Sequence, residues 1–279
     1  MKEIHIKAAA KINWSLEITG RREDGYHLLR SLMQQVSLYD SLDLKLAEED
    51  RCFCSALVDQ ENLAFRAWLA LKRQLSLEEC LEIHIRKQIP IGAGLAGGSA
   101  DAAAVLMGAN QLLSLGLSSE DLCLLGLSLG ADIPFCLRGG ACLVEGIGEL
   151  LQDLAKIPSY WLVLANPGFS VGTPQVFREY DRVGSRQKVD IPAVVDCLEM
   201  GQRELLPSLW GNQLYEAACN LYPSLSRIPE FFLSLGLQPL MSGSGGSFFA
   251  LCEGQAQAEA AAAELRRHVH WAAAVQTLN

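Results

Sequence analysis

Pro90-Ile91-Gly92-Ala93-Gly94-Leu95-Ala96-Gly97-Gly98-Ser99-Ala100-Asp101-Ala102-Ala103-Ala104 is the stretch from which the fold is read. Before it, Leu81-Glu82-Ile83-His84-Ile85-Arg86 alternates apolar and polar residues as a half-buried strand does; after it, an alanine-rich run with helical spacing reaches Leu115. The order is therefore strand, glycine loop, helix. Gly92, Gly94, Gly97 and Gly98 carry no side chain, so a ligand can approach the main chain. Ser99 is expected to cap the helix, whose first N–H groups have no partner within it and form the positive end of its dipole. That combination binds anions, phosphate above all.

Two familiar phosphate loops do not fit. Gly92 and Gly97 have Walker A spacing, but Gly98 stands where that loop needs its lysine. Gly92, Gly94 and Gly97 also spell the dinucleotide fingerprint, yet no strand with an acidic end follows about 20 residues on. Charge compensation for a phosphate must come from another part of the chain. A glycine turn that only lets a helix pack on a sheet would carry similar glycines; four of them followed by a serine favour the anion site.

With 279 residues, half of them apolar, the chain has room for two modest domains or one large one. No apolar run reaches the roughly 18 residues of a membrane span, and Met1-Lys2-Glu3-Ile4-His5-Ile6 lacks the apolar core of a signal peptide. Nine scattered cysteines, with no C-x-x-C pair, fit reduced thiols in a cytoplasmic protein. A net charge of -9 with dispersed basic residues argues against a nucleic-acid surface, though not against a nucleotide.

Along the chain, Ile12, Trp14, Leu16 and Ile18 alternate with Lys11, Asn13, Ser15 and Glu17, so Lys11 and Asn13 share one face of a strand. A lysine there is ordinarily solvated. Asp24-Gly25 marks a turn that presents Tyr26 and His27, an aromatic face beside an imidazole. An apolar stretch then ends near Tyr39, and strands are expected over Ser41–Ala47 and Cys52–Ala56. Helices are expected from Glu61 to about Leu75, from Ser118 to Leu129 and over Gly254–Val269, with a buried strand over Trp161–Asn166. Asn62 sits where an asparagine caps a helix, and Asp132, between a helix end and Pro134, where an aspartate commonly caps a turn. Residues 179–192 are charged and without a period, and read as a surface loop.

The loop Pro90 to Ala100 resembles the P-x-x-x-G-L-x-(S/G)-S-(S/A) phosphate loop of the GHMP small-molecule kinases, departing from its commonest glycine and serine at Ala96 and Ala100. Further segments resemble that family in order: Ala10-Lys11-Ile12-Asn13; Arg22-Glu23-Asp24-Gly25-Tyr26-His27; Gly130-Ala131-Asp132-Ile133-Pro134; Pro167 to Pro174; Gly211-Asn212-Gln213, with Gln213 in place of an acid; and the glycine turn Pro239 to Ser247.

The resemblance implies an α+β, two-domain GHMP kinase fold, with an N-terminal α/β nucleotide-binding domain (1–155) and a C-terminal ferredoxin-like domain (156–279). It also implies ATP, with Mg2+, held by Pro90, Ile91, Gly92, Ala93, Gly94, Leu95, Ala96, Gly97, Gly98, Ser99, Ala100 and Asn62. Lys11 and Asp132 become the catalytic pair. The R-x-D-G-Y-H string is similar to that of the branch whose acceptor is a cytidine diphosphate-linked methylerythritol, phosphorylated at its C2 hydroxyl for isoprenoid synthesis. Asn13, Tyr26, His27, Thr173 and Phe177 would bind this acceptor. A cytoplasmic enzyme is expected, monomeric or a weak homodimer, with no nucleic-acid or membrane partner.

Overall fold

The computed structural model describes residues 3–54, 62–154 and 157–279. The chain divides into two compact units that are not consecutive halves. The first takes residues 1–10, 38–89 and 96–139, the second residues 11–37, 90–95 and 140–279. Two long strands, β1 (Glu3–Arg21) and β2 (His27–Ala47), pair with each other and run through both. The break expected between Tyr39 and Ser41 does not occur. Val36, Leu38, Asp40, Leu42 and Leu44 point inward in strict alternation, with no glycine or proline to interrupt them.

The first unit continues with β3 (Arg51–Cys54), α1 (Leu63–Leu75), β4 (Cys80–Arg86), α2 (Gly97–Leu113), α3 (Ser119–Leu129) and α4 (Ile133–Arg138). β4 pairs antiparallel with the C-terminal half of β2, Leu42 opposite Ile85 and Leu44 opposite Ile83, and parallel with β3. Trp68 and Leu71 of α1 and Ala102 to Leu106 of α2 are fully buried, and the two helices pack on each other. Asn62 caps α1 through Oδ1, which accepts from Ala64 N at 2.9 Å, and Ser118 and Asp121 close a capping box on α3. Ser55 and Ala56 of the expected third strand, Glu61 of the expected helix start and the expected domain boundary at 155 and 156 lie outside the described residues.

In the second unit, β5 (Ala141–Gly146) pairs antiparallel with the N-terminal half of β2, and β6 (Leu150–Asp153) with β5. There follow β7 (Trp161–Asn166), α5 (Thr173–Val183), α6 (Ile191–Glu199), α7 (Leu206–Leu209), α8 (Tyr215–Leu221), a 3-10 turn (Pro223–Arg227), α9 (Ile228–Leu233), β8 (Pro239–Met241), β9 (Phe248–Cys252), α10 (Gln255–Leu265) and β10 (Trp271–Gln276). Strand order β10-β7-β9-β8, antiparallel throughout, with helices between β7 and β8 and between β9 and β10, is the ferredoxin-like arrangement. Trp14 anchors this unit: its ring meets Tyr160 and Phe249 edge-on and stacks on Trp210, and its Nε1 donates to Gln34 Oε1 at 2.8 Å.

Three expectations are corrected here. The charged stretch 179–192 is no simple loop, since α5 runs to Val183 and α6 begins at Ile191; α5 fully buries Val176 alone, too little to print a period on the sequence. The terminal helix stops at Leu265, and alanine-rich residues 271–275 form β10 because they pair with β7, Trp271 opposite Asn166. Ser99 does not cap α2. Ala96 does, in a left-handed conformation (φ 56, ψ 27), and Ala100 N donates to Ala96 O at 2.8 Å as the first helical bond, which makes Ser99 the third helical residue.

Alanine in that conformation is strained by about 1–2 kcal/mol, a penalty glycine escapes. Ala96→Gly is therefore expected to raise stability by about 0.5–1 kcal/mol after the entropy glycine adds to the unfolded chain. Urea melts of the two proteins decide it; a lower midpoint for the variant would contradict the strained cap.

Candidate active site

The polar face of β1 is buried. Lys11 is 3% exposed, and Asn13 and Ser15 are equally withdrawn from water. A lysine so placed is tolerated only with hydrogen bonds to its ammonium group. Lys11 Nζ donates to Asn13 Oδ1 at 2.7 Å and to the carbonyl of Gly94 at 3.2 Å. Asn13 Nδ2 donates to Ser31 Oγ at 2.7 Å, and Ser31 Oγ to the carbonyl of Ser15 at 2.7 Å. The alternation that puts Lys11 and Asn13 on one face thus becomes a fixed network, with Ser31 and Ser242 as members that sequence pattern does not mark. Ser242 Oγ accepts from Asn13 N at 3.3 Å and donates to Gly94 O at 2.9 Å.

The segment Pro90 to Leu95, in the same unit, is seated on this network. Lys11 N donates to Leu95 O, Ser247 N to Ala93 O and Val171 N to Gly92 O. Gly94 has φ 74, and a Cβ there would collide with the carbonyl oxygen of Ser242, so the close approach requires glycine. Ala93 and Leu95 are buried anchors, while Ile91 and Gly92 are exposed. The turn beneath is itself braced: Asn212 Nδ2 donates to the carbonyls of Met241 and Gly243, both at 2.8 Å, and Asn166 Nδ2 to Ser247 Oγ at 3.0 Å. Gln213, where the family resemblance has an acid, accepts from Ile18 N through Oε1 at 2.8 Å.

In the first unit, Gly97, Gly98 and Ser99 open α2, where main-chain N–H groups have no carbonyl one turn back. A charged cluster lies at that turn. Lys87 Nζ donates to Asp101 Oδ2 at 2.6 Å and to Asp40 Oδ2, while Asp40 Oδ1 accepts from Ile89 N at 2.9 Å and from Gln88 N. A Cβ on Gly97 would come within 3.3 Å of Lys87 Nζ. Asp101 is 3% exposed and its Oδ1 has no hydrogen-bond partner. Burial, above all, pushes its carboxyl up to about 7 despite the neighbouring ammonium; the two carboxylates pull Lys87 upward against its own burial.

Asp132 stands at the N-terminus of α4, half-buried, and its carboxylate does not cap that helix. Asn62, by contrast, does cap, and its Oδ1 is engaged there. In the second unit the turn Arg22–Tyr26 is closed by Arg22 N to Tyr26 O at 2.8 Å, leaving Tyr26 62% exposed. His27 stacks on Phe177, ring centroids 4.8 Å apart, so these two candidates are brought together. Thr173 opens α5, its Oγ1 2.7 Å from Ser244 Oγ. Asp132, Asn62 and Ser99 belong to the first unit, and Lys11, Asn13, Tyr26, His27, Thr173 and Phe177 to the second.

Comparison with known proteins agrees along the whole chain. Residues 62–140 match the GHMP kinases N terminal domain and residues 201–270 the GHMP kinases C terminal domain. A 4-diphosphocytidyl-2-C-methyl-D-erythritol kinase of Citrifermentans bemidjiense is 40% identical over 100% of both chains. A crystal structure of 4-(cytidine 5'-diphospho)-2C-methyl-D-erythritol kinase superposes with a TM-score of 0.85 at 34% identity, covering 99% of this chain and 100% of that one. Homoserine kinase from Cytophaga hutchinsonii, at 20% identity and a TM-score of 0.75 over 100% of this chain and 95% of its own, shares the fold.

The Asp101 carboxyl carries a pH signature. Its folded value lies above its ordinary 3.8, so between about pH 4 and 7 the unfolded chain ionises while the folded one keeps the proton, and stability falls as pH rises through that window. Asp101→Asn removes this dependence. Thermal melts should show the wild type losing at least about 1 kcal/mol relative to the variant across the window; parallel pH profiles would contradict it.

Proposed function

We infer that this chain, which belongs to the GHMP kinases and within them to the 4-diphosphocytidyl-2-C-methyl-D-erythritol kinases, transfers the γ-phosphoryl group of ATP to the C2 hydroxyl of 4-diphosphocytidyl-2-C-methyl-D-erythritol. The products are the 2-phosphate and ADP, within the methylerythritol phosphate route to isoprenoid precursors. The observation that carries this reading is the buried ammonium of Lys11 bonded to the Gly94 carbonyl of the phosphate loop.

Phosphoryl transfer asks for alignment and charge stabilisation more than for covalent help. The N–H groups of the glycine loop and of Gly97, Gly98 and Ser99 hold the phosphates at the α2 terminus. A magnesium ion on the nucleotide would offset the charge of the phosphates, and the hydroxyl of Ser99 and the carboxylate of Asp132 are oxygen donors that would hold such a hard cation. Asp132 takes the proton from the acceptor hydroxyl, and Lys11 supplies positive charge to the transferring group. The two groups act chiefly through charge and alignment. Asn13 orients Lys11 and the acceptor, Thr173 lies on the acceptor side, and Tyr26, His27 and Phe177 hold the cytosine. Asn62 supports the adenine end from its cap.

The two family domains are assigned to 1–155 and 156–279. Among the described residues no helix is long and apolar enough to cross a membrane, and we assign the enzyme to the cytoplasm, as a monomer or weak homodimer.

ADP release from ATP and magnesium should be seen with the cytidylated acceptor and not with the same acceptor lacking its cytidylyl group, nor with mevalonate or homoserine. Lys11→Met and Asp132→Asn should each lower kcat by roughly 10²-fold while ATP still binds. Turnover with mevalonate or homoserine alone would replace the substrate, and near-normal kcat in either variant would remove that residue from the mechanism.

A further inference from the structure

The imidazole of His27 is held on three sides by one helix. Phe177, Tyr180 and Asp181 lie at i, i+3 and i+4 of α5, which puts them on one face. Phe177 stacks on the His27 ring, Tyr180 meets it edge-on with centroids 6.3 Å apart, and Asp181 Oδ1 lies 2.6 Å from His27 Nε2. The second carboxylate oxygen, Oδ2, lies 3.3 Å from the Arg21 guanidinium, so both oxygens are engaged. The His27 side chain is only 10% exposed. Among the charged groups facing the ring, Arg21 comes from β1 and Asp181 from α5.

An ionised carboxylate accepts and cannot donate, so the hydrogen of the short contact sits on Nε2. In the neutral imidazole that leaves Nδ1 as a lone-pair acceptor. The two pyrimidines differ at this point: cytosine offers a 4-amino donor where uracil offers a carbonyl oxygen. An acceptor at Nδ1 pairs with the first and repels the second. We propose that Asp181 is a positioning residue that selects cytidine over uridine in the acceptor, by fixing the tautomer and orientation of His27. This rests on the assignment of His27 to the cytosine in the function given above, and adds to it the residue that makes His27 selective.

Asp181→Asn keeps the shape but can turn an amide N–H toward Nε2, which frees the hydrogen to move to Nδ1. The test compares kcat/KM for the cytidine- and uridine-diphosphate-linked methylerythritols in wild type and Asp181→Asn, at about pH 8 where histidine is ordinarily neutral. The 15N resonances of His27 are read in both proteins. The wild type should show hydrogen on Nε2 and prefer cytidine by about 100-fold or more. The variant should lose the single tautomer and at least about tenfold of that preference, through KM for the cytidylated acceptor, with KM for ATP unmoved. Asp181→Glu, which restores a carboxylate, should recover part of the preference. A variant that keeps the wild-type ratio, or loses both acceptors equally with the His27 tautomer unchanged, overturns the proposal. Failure of the underlying function shows differently, as a wild-type chain that does not turn over the cytidylated acceptor.

Discussion

The carbonyl oxygen of Gly94 accepts from Lys11 Nζ at 3.2 Å and from Ser242 Oγ at 2.9 Å, and the rest of the second unit's site is arranged to make those contacts possible. A buried ammonium group costs several kcal/mol unless its hydrogens are placed. The chain places them with Asn13 Oδ1 and with the Gly94 carbonyl of the glycine loop. The lysine therefore serves the loop before it serves any substrate, because its desolvation is offset by fixing the loop's path. Asn212 and Asn166 brace the underlying turn 241–247 in turn, so the loop rests on a support whose own carbonyls are satisfied.

The first unit solves a similar problem with charge. Lys87, just past the end of β4, joins Asp40 in the middle of β2's inward row to Asp101 in α2, tying the two strands to the helix that leaves the loop. Two carboxylates share one ammonium, and burial pushes the Asp101 carboxyl upward. This cluster fixes the opening of α2 at Gly97, where a Cβ would come within 3.3 Å of Lys87 Nζ.

Much of this was legible in residues alone. The strand, loop and helix order around Pro90 to Ala104 is present, as are the buried strand at 161–166, the capping box at Ser118 and the shared face of Lys11 and Asn13. What periodicity could not convey was burial of a polar face: Lys11, Asn13 and Ser15 read as solvated because nothing local reports that Ser31 and Ser242 will meet them. The cap of α2 was misplaced because serine is the better cap by propensity, while the loop's entry angle imposes a left-handed residue at Ala96. Asp181 was hidden in a stretch of charges, although its spacing from Phe177 is the signal that would have found it. β10 was lost because alanine carries no preference strong enough to outweigh what β7 imposes.

Calorimetry of ATP and of the cytidylated acceptor binding to Gly94→Ala tests most directly whether the seated loop is what makes the nucleotide site. The added methyl group meets the Ser242 carbonyl at a backbone conformation alanine resists. ATP affinity should fall by roughly tenfold or more while acceptor affinity stays within about twofold. Unchanged ATP affinity in a folded variant would contradict the account, since the loop would then bind phosphate without its contacts to Lys11 and Ser242.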